Sequence, residues 1–300
     1  MALGIGDDAA LVNPSPNSQL VVATDTLVES VHFPVDASAE QIATRALCVN
    51  LSDMAAMGAT PRWFTLALTL EKADAPWLAG FSRGLAQVAA EFDIALIGGD
   101  TTAGPLTISL TLIGEVPMGE TLPRGGAKVG DSIYVTGTLG DGAAALSLLM
   151  SNDKDGSSDS ERLLTRFYRP HPQIQVGIKL RGIANACVDI SDGLLADLAH
   201  LCRASAVSAN LISERLPIHP DIKRSSPLLC LNWALSGGDD YQLCFTVSQD
   251  NCTKINQWIE LGELNATMIG QIQPLEGDKF PIRVDNVATE LKRGFDHFDD

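Results

Sequence analysis

The sequence predicts an α/β protein of two domains, and three observations support this. Short β-branched apolar runs alternate with longer helical patterns, which is typical of layered α/β units. The chain has 300 residues, and roughly 150 residues per domain is the usual size. The composition also changes once, near the middle. With 26 glycines and only 5% aromatic residues, the core should be aliphatic.

The first half contains four predicted strands and two predicted helices. An apolar run that stops at a turn signal indicates a buried strand, and an apolar period near ~3.6 indicates a helix. Gly58 is a common kind of helix stop, and Pro76 suits a first helical turn. In chain order the elements are strand Leu20–Ala23, helix Ala39–Met57, strand Trp63–Leu70, helix Pro76–Phe92, strand Ile94–Ile97 and strand Leu106–Val116.

A stretch rich in Gly, Pro, Arg and Lys separates the two halves. Residues 117–131 have no apolar period, so we predict domains over residues 1–123 and 124–300. Ser151–Glu161 is polar and is expected to be a surface loop. The second domain is predicted to contain strand 133–137, the Gly-rich turn Gly137–Gly142 before a helix, helices Glu161–Tyr168 and Gln173–Ala184, strand Ala186–Ile190, helix Asp192–Ala204, strand Val207–Ile212, strand Tyr241–Val247, helix Asn251–Leu261 and strand Ala266–Ile272.

An aspartate follows Gly, Ser or Thr six times where an apolar run ends. The segments are GIGDDAA, VVATDT, NLSDMAAMGA, LIGGDTT, VDISDG and LSGGDD. Any one of them is compatible with a turn or a helix cap. Small neighbours, however, allow a ligand to approach the backbone, and grouped carboxylates need cations to offset their repulsion. The pattern therefore predicts Mg²⁺ held for a phosphate substrate.

Asp53 gives the sharpest local argument. On a helix it falls within roughly 40° of Ile42, Ala46 and Val49, in the middle of an apolar stripe. An ionised carboxylate is costly to bury unless it is paired or binds a metal. The alternative is a helix that packs on two faces, with Asp53 at an exposed seam.

The other acidic positions keep two interpretations. Asp25 and Asp100 each end a predicted strand beside a threonine, so carboxylate and hydroxyl oxygens are available to a hard cation. Asp7 and Asp8 are adjacent, so their side chains would diverge in extended structure and at most one need face the site; helix capping is the alternative for the other. Asp192 is equally compatible with an N-cap and a metal ligand. The turn Gly137–Gly142 is either an anion cradle at a helix start or a plain tight turn.

Several classes of function are disfavoured. The 37 acidic and 21 basic residues give a net charge of −16, which argues against a nucleic-acid binder. None of the five histidines forms a zinc motif, and no activated Ser or Cys nucleophile is evident. The sequence has no candidate membrane segment, and the six cysteines read as reduced core residues. We expect a cytoplasmic protein.

The ordered series GIGDDAA, TDTLVESVHF, VNLSDMAAMGATP, LIGGDTT, PRGGAKVGDSIYVTG, VDISDGL, ALSGGDDYQLCF and GFDHF resembles the thiamine monophosphate kinase family. That family belongs to the aminoimidazole ribonucleotide synthetase-like superfamily, and the resemblance covers essentially the whole chain. It implies two α/β domains whose amino-terminal sheets pair across a homodimer, with ATP near the interface. It also implies transfer of the γ-phosphoryl group of ATP to thiamine monophosphate, with several Mg²⁺ ions and no phosphoenzyme.

The resemblance assigns roles to residues that match the family motifs. It implies no acid or base, since the acceptor phosphate is already ionised and the metal cluster at Asp25, Asp53 and Asp100 carries the chemistry. The implied metal ligands are Asp8, the Ala23 carbonyl, Thr24, Asp25, Asp53, Asp100, Asp189 and Asp192. The implied ATP contacts are Gly99, Asp100, Arg124 and Ser191, and the implied thiamine monophosphate contacts are His32, Asp239 and Phe295.

The chain departs from the family pattern in three places. It starts almost at GIGDD, the usual GGED reads GGDD at Asp239, and Phe295 replaces a Tyr or Trp. Two rival hypotheses remain. One is another ATP-dependent reaction of the superfamily, such as aminoimidazole ribonucleotide synthesis, selenophosphate synthesis or hydrogenase maturation. The other is a cation-binding protein that has lost catalysis.

Overall fold

The fold is described from a computed structural model of the chain. It describes residues 4–151, 157–275, 277, 280–286 and 294–295. The chain forms two compact units. The first is Met1–Thr121 with Tyr168–Ile174, and the second is Leu122–Phe167 with Gln175–Asp300. Residues Tyr168–Ile174 belong to the first unit although they lie within the second unit in sequence, so a single boundary at 123/124 does not separate these two units.

The first unit is a four-stranded sheet covered by one helix, with a second helix packed on the first. Its elements are β1 (Ser18–Val28), α1 (Ala39–Ala56), β2 (Thr60–Leu70), α2 (Ala75–Glu91), β3 (Ala95–Ala103) and β4 (Thr107–Pro117). The strand order is β1-β4-β2-β3. Strand β4 is antiparallel to both β1 and β2, whereas β3 runs parallel to β2. Strands β1 and β3 are therefore the two edges of the sheet.

The starts of both helices are fixed by capping. Ser38 and Gln41 form a capping box at α1, and Asp74 accepts the Trp77 N–H at α2. Helix α1 is buried without interruption from residue 42 to residue 52, because it packs against both the sheet and α2. This is the two-face packing that the sequence left open for α1.

The second unit is a six-stranded sheet with several helices. Its described elements are β5 (Ser132–Thr136), α3 (Asp141–Met150), α4 (Ser158–Tyr168), α5 (Ile174–Leu180), β6 (Ala184–Asp189), α6 (Leu194–Ser205), β7 (Val207–Leu211), α7 (Pro220–Ser225), α8 (Cys230–Ser236), β8 (Leu243–Val247), α9 (Gln249–Glu260), β9 (Ala266–Pro274) and β10 (Ile282–Val284). The strand order is β10-β7-β9-β5-β8-β6. All pairs are antiparallel except β10 with β7.

Two predicted strands were too short. Strand β1 pairs with β4 as far as Val28, and β3 pairs with β2 as far as Ala103. Asp25 and Asp100 therefore lie inside strands and do not end them. The apolar-run rule failed because both strands are sheet edges, where polar side chains stay in solvent. The sequence also did not predict α7, α8 or β10, and it made α5 too long.

The six cysteines are all unpaired thiols. Cys48, Cys187, Cys202 and Cys244 are buried, as the apolar context predicted, while Cys230 and Cys252 are partly exposed. Among the described helices, none has the length and hydropathy needed to cross a membrane.

Candidate functional site

Asp25 is tied to helix α1 through Asn50. The backbone N–H of Asp25 donates to Asn50 Oδ1 at 3.1 Å, and the Asn50 Nδ2 donates to the Ala46 carbonyl at 2.9 Å. The Asn50 side chain is fully buried, so both of its polar atoms need partners. This bridge fixes the edge strand at the residue that carries the proposed ligand.

Asp53 lies one helical turn beyond Asn50. Residues three apart are neighbours on a helix surface, so α1 presents Asn50 and Asp53 on adjacent positions. Asp53 is partly exposed, although the positions on either side of it are buried. The helix backbone at Asp53 is thus fixed by packing on both sides, while the residue itself is partly open to solvent.

Thr24 and Asp25 point to opposite faces of β1. Val21, Asp25 and Leu27 are buried or half-buried, whereas Thr24 is exposed, as the alternation of a strand requires. The Thr24 Oγ1 lies 2.9 Å from Thr111 Oγ1 on β4. The structure therefore does not bring the Thr24 hydroxyl and the Asp25 carboxylate to one face.

Gly99 and Asp100 lie on the other edge strand. A Cβ on Gly99 would stand 1.9 Å from the Leu66 carbonyl oxygen, and the Gly99 φ is +154°, so the position requires glycine. Asp100 is exposed, and its Oδ1 accepts the Thr101 N–H at 2.9 Å. The close approach of β3 to β2 thus fixes the backbone next to the carboxylate.

Asp25 and Asp100 occupy opposite edges of the sheet. Three strand spacings separate β1 from β3, which is roughly 14 Å. Within the described residues, no three His, Cys, Asp or Glu side chains converge as a metal-binding group. One chain's sheet therefore does not place these two carboxylates side by side.

Asp7 has a local structural role. Its Oδ1 accepts the Asp8 N–H at 2.9 Å, and both residues are exposed. This contact with the N–H of the next residue restrains the backbone at Asp8. The assignment of Asp8 rather than Asp7 as a ligand stays a prediction.

His32 is held in a defined tautomer. Its Nδ1 accepts the Val28 N–H at 3.0 Å, so in the neutral ring the proton is on Nε2. The buried Arg45 donates from Nε to the His32 carbonyl at 2.9 Å. Arg45 was not identified from the sequence. The ring is therefore oriented so that Nε2–H is a donor.

In the second unit, one carboxylate organises the loop after β6. The Oδ2 of Asp197 accepts the backbone N–H groups of Ser191, Asp192 and Gly193 at 3.0, 3.0 and 3.1 Å. Asp197 is 5% exposed and lies in the first turn of α6. We call residues 191–193 the serine loop.

The alternative role of Asp192 as a helix cap is wrong. The N-cap of α6 is Gly193, and it makes no side-chain capping bond. Asp197 instead accepts the amides of residues 191–193, which precede the helix, whereas a cap would accept an amide of its first turn. Asp192 is half-buried. The other interpretation of its side chain, a metal ligand, stays a prediction.

The pKa of Asp197 is raised to about 8, first by burial and then by the charges of Asp189 and Asp192. Asp189 itself is only 7% exposed. Asp189 and Asp192 are therefore close enough to Asp197 to disfavour its charged form. The carboxylate oxygens of Asp189 and Asp192 are hard donors of the kind that Mg²⁺ prefers.

The Gly137–Gly142 turn already holds an acidic side chain of the protein itself. The buried Asp240 accepts the Gly140 N–H at 2.8 Å and the Gly142 N–H at 3.1 Å. These amides open helix α3, where a negative charge is favoured. The two interpretations left open for this turn are thus replaced by a third, since Asp240 fills the cradle.

Asp239 sits in a strained turn next to Asp240. Asp239 and Tyr241 have φ values of 60° and 50°, which non-glycine residues adopt at a cost. The Tyr241 hydroxyl donates to Asp239 Oδ1 at 2.8 Å. The proposed substrate contact is therefore oriented by a tyrosine two residues away.

The serine loop is bonded to two of the three motifs that carry proposed thiamine monophosphate contacts. The Asp239 N–H donates to the Ser191 carbonyl at 2.7 Å, and the Phe295 N–H donates to the Asp192 carbonyl at 3.0 Å. The Phe295 side chain is 54% exposed. The three motifs VDISDG, SGGDD and GF, which are far apart in sequence, are thus joined by backbone bonds.

Arg124 projects from a turn packed on α6. The Ser205 Oγ accepts the N–H groups of Gly126 and Ala127 at 3.0 and 3.1 Å. Arg124 is exposed. Burial and the positive charge of Arg124 lower the pKa of His200. The guanidinium is thus available to an anion while its backbone is fixed.

Sequence reasoning missed four residues that support this site. Each of them has a polar side chain that forms a hydrogen bond with a backbone group. Asp197 could have been found from the sequence, because an acidic residue in the first turn of a helix is a recognised signal of a helix start. The other three contact residues in other parts of the chain, which the sequence does not reveal. The four residues are Arg45, Asn50, Asp197 and Asp240.

Comparison with known proteins places the chain in a family. Residues 6–116 match the amino-terminal domain model of AIR synthase related proteins, and residues 128–281 match the carboxyl-terminal one. The thiamine-monophosphate kinase of Escherichia coli K12 is 46% identical over 99% of this chain and 92% of its own length.

Solved structures agree with this match. The thiamine-monophosphate kinase of Stenotrophomonas maltophilia K279a has a TM-score of 0.87 at 45% identity, covering 96% of this chain and 92% of its own. A structure described as AaThiL complexed with AMPPCP and TMP has a TM-score of 0.85 at 33% identity, covering 98% and 92%. The chain belongs to the AIR synthase related family and, within it, to the thiamine-monophosphate kinases.

Proposed function

We propose that this chain transfers the γ-phosphoryl group of ATP directly to thiamine monophosphate, giving thiamine diphosphate, with Mg²⁺. The observation that carries the proposal is the relative bound to AMPPCP and TMP, which matches 98% of this chain. The absence of a nucleophile motif from the sequence favours direct transfer over a phosphoenzyme.

The nucleotide side uses residues of both units. We assign Gly99, Asp100, Arg124 and Ser191 to ATP. The exposed guanidinium of Arg124 can bind a phosphate through two parallel hydrogen bonds. Gly99 has no side chain to obstruct the phosphates, and the packing of β3 on β2 fixes its position.

Bound Mg²⁺ would neutralise the charge that spreads over the phosphoryl oxygens during transfer. The residues proposed to hold several Mg²⁺ ions are Asp8, the Ala23 carbonyl, Thr24, Asp25, Asp53, Asp100, Asp189 and Asp192. Asp25 and Asp100 lie on opposite edges of the sheet, so within one chain they would hold different ions. The chain's own contribution is to fix these donors. Asn50 fixes the strand at Asp25, and Asp197 fixes the loop at Asp192.

The acceptor side uses His32, Asp239 and Phe295. The oriented Nε2–H of His32 can donate to a phosphate oxygen of thiamine monophosphate. The Asp239 carboxylate is a hydrogen-bond acceptor, and the Phe295 ring offers a stacking face. The acceptor phosphate is ionised at neutral pH, so no residue is needed to remove a proton.

A homodimer is part of the proposal. Strand β1 is a long edge strand, and Leu20 and Val22 on its outer face are 44% and 61% exposed. An exposed apolar edge is a surface that another strand can cover. A cytoplasmic location is proposed as well, since six free thiols fit a reducing compartment.

The proposal is tested with purified protein, ATP, MgCl₂ and thiamine monophosphate. Chromatography should show thiamine diphosphate and ADP forming in equal amounts, and neither should form when EDTA is added. ATP consumption without thiamine diphosphate would refute the proposed substrate.

A further inference from the structure

The backbone hydrogen bonds of the serine loop extend to both of its sides. Its three N–H groups converge on Asp197 Oδ2. Two of its carbonyls, those of Ser191 and Asp192, accept the N–H groups of Asp239 and Phe295. A single buried carboxylate oxygen thus holds the loop from one side while the two substrate motifs attach on the other.

The close packing around the loop leaves it few alternative positions. A Cβ on Gly193 would lie 2.9 Å from the Ser236 backbone, and one on Gly238 would lie 2.6 Å from the Ser191 carbonyl oxygen. A Cβ on Gly294 would lie 2.8 Å from the Asp192 carbonyl oxygen. The three chain segments meet backbone to backbone, so a shift of the loop moves the other two.

Burying the Asp197 side chain is itself unfavourable to folding. Buried ionisable groups are unfavourable unless they are satisfied by hydrogen bonds, and here the acceptor is shared by three amides. An apolar residue at this position would leave three N–H groups without their acceptor. The function of the Asp197 side chain is therefore to fix the serine loop and not to pack α6.

We propose that Asp197 is a positioning residue for both substrates. By fixing the serine loop it orients Ser191 and Asp192 on the ATP side, and through the loop carbonyls it orients Asp239 and Phe295 on the thiamine monophosphate side. This inference rests on the proposed function. It predicts an effect on two ligands from a residue that contacts neither.

The test measures binding by calorimetry with two probes, AMPPCP with MgCl₂ and thiamine monophosphate alone. Asp197→Ala should weaken both by about tenfold or more, the usual cost of losing a supporting contact. Asp197→Asn retains one carbonyl oxygen for the amides and should restore most of both affinities. Amide hydrogen exchange of residues 191–193, measured without ligand, should accelerate in Asp197→Ala and less in Asp197→Asn.

Asp285→Ala is the matched control. Asp285 Oδ1 accepts the Ser213 N–H at 2.7 Å in the same unit, so its loss also removes an amide acceptor, but from an unrelated turn. Both affinities should stay at the wild-type value. If Asp197→Ala does not fold, Asp197→Ser, whose hydroxyl is too short to reach all three amides, replaces it with the same expectation.

The outcomes separate the two proposals. Unchanged binding of both probes by Asp197→Ala, or weakened binding of the nucleotide alone, would overturn the role of Asp197. Wild-type protein that binds neither probe would instead overturn the proposed function.

Discussion

The Asn50 side-chain carbonyl accepts the backbone N–H of Asp25 at 3.1 Å and so joins helix α1 to the edge strand β1. An edge strand has unpaired backbone groups on one side. Here a fully buried side chain supplies a partner at the residue that carries a proposed Mg²⁺ ligand. This contact leads to the first prediction.

Asn50→Ala should lower the free energy of unfolding by about 1–3 kcal/mol, because the Asp25 N–H loses its partner. It should also weaken binding of Mg²⁺ and AMPPCP, measured by calorimetry. Gln41→Ala is the control, since it breaks the capping box at the start of the same helix. It should cost about 1 kcal/mol and leave nucleotide binding unchanged. Equal binding by both variants would show that Asn50 only stabilises the fold.

Gly99→Ala should lower the free energy of unfolding by about 3 kcal/mol or more, since the new Cβ would meet the Leu66 carbonyl oxygen. Gly98 is the matched position, because a Cβ there has no neighbour within 4 Å. Gly98→Ala should change stability by less than about 1 kcal/mol. Urea denaturation measures both. Similar losses in the two variants would contradict the close approach of β3 to β2.

His32→Asn should raise the KM for thiamine monophosphate by about tenfold, because the Nε2–H donor is lost; a hydrogen bond to a charged group is worth about 1.5–3 kcal/mol. The asparagine oxygen can still accept the Val28 N–H, so the fold should persist. The KM for ATP should not change. His171→Asn in the same unit, at an exposed residue, is the control. An unchanged KM for thiamine monophosphate would remove His32 from the substrate site.

Asp240 should give the protein a distinct dependence of stability on pH. Burial is the main cause that raises its pKa from 3.8 to about 7 in the folded state. Between these values the folded state binds a proton that the unfolded state has released, so the contribution of Asp240 to stability falls as the pH rises from 4 to 7.

Asp240→Asn cannot ionise and removes this effect. The stability of the variant relative to the wild type should therefore increase from pH 4 to pH 7 and level off above it. Each unit of pKa difference between the folded and unfolded states is worth about 1.4 kcal/mol. Denaturation at several pH values gives the difference. The lost amide contact changes the stability difference by the same amount at every pH, so the slope of that difference against pH is what tests the prediction. A stability difference that does not vary with pH would contradict the raised pKa of Asp240.

The sequence predicted the layered α/β class and most elements because apolar periodicity is a local property. It identified Asp53 on α1 for the same reason. It did not predict that β1 continues past Ala23 with one buried and one exposed face. The threonines on its exposed face look like the end of a strand in the sequence. Nor did the sequence predict that Asp240 accepts the Gly140 N–H, because that contact joins residues 100 positions apart. The roles of Asn50 and Arg45 also depend on contacts that appear only after folding.

The most direct test follows the labelled γ-phosphate of [γ-³²P]ATP in the presence of thiamine monophosphate and Mg²⁺. The label should appear in the terminal phosphate of thiamine diphosphate, one for each ADP formed. Asp53→Asn, at a partly exposed position of α1, should fold normally and give almost no labelled product. Well-folded wild-type protein that yields no labelled thiamine diphosphate would contradict the account, and full activity of Asp53→Asn would remove that residue from the metal site.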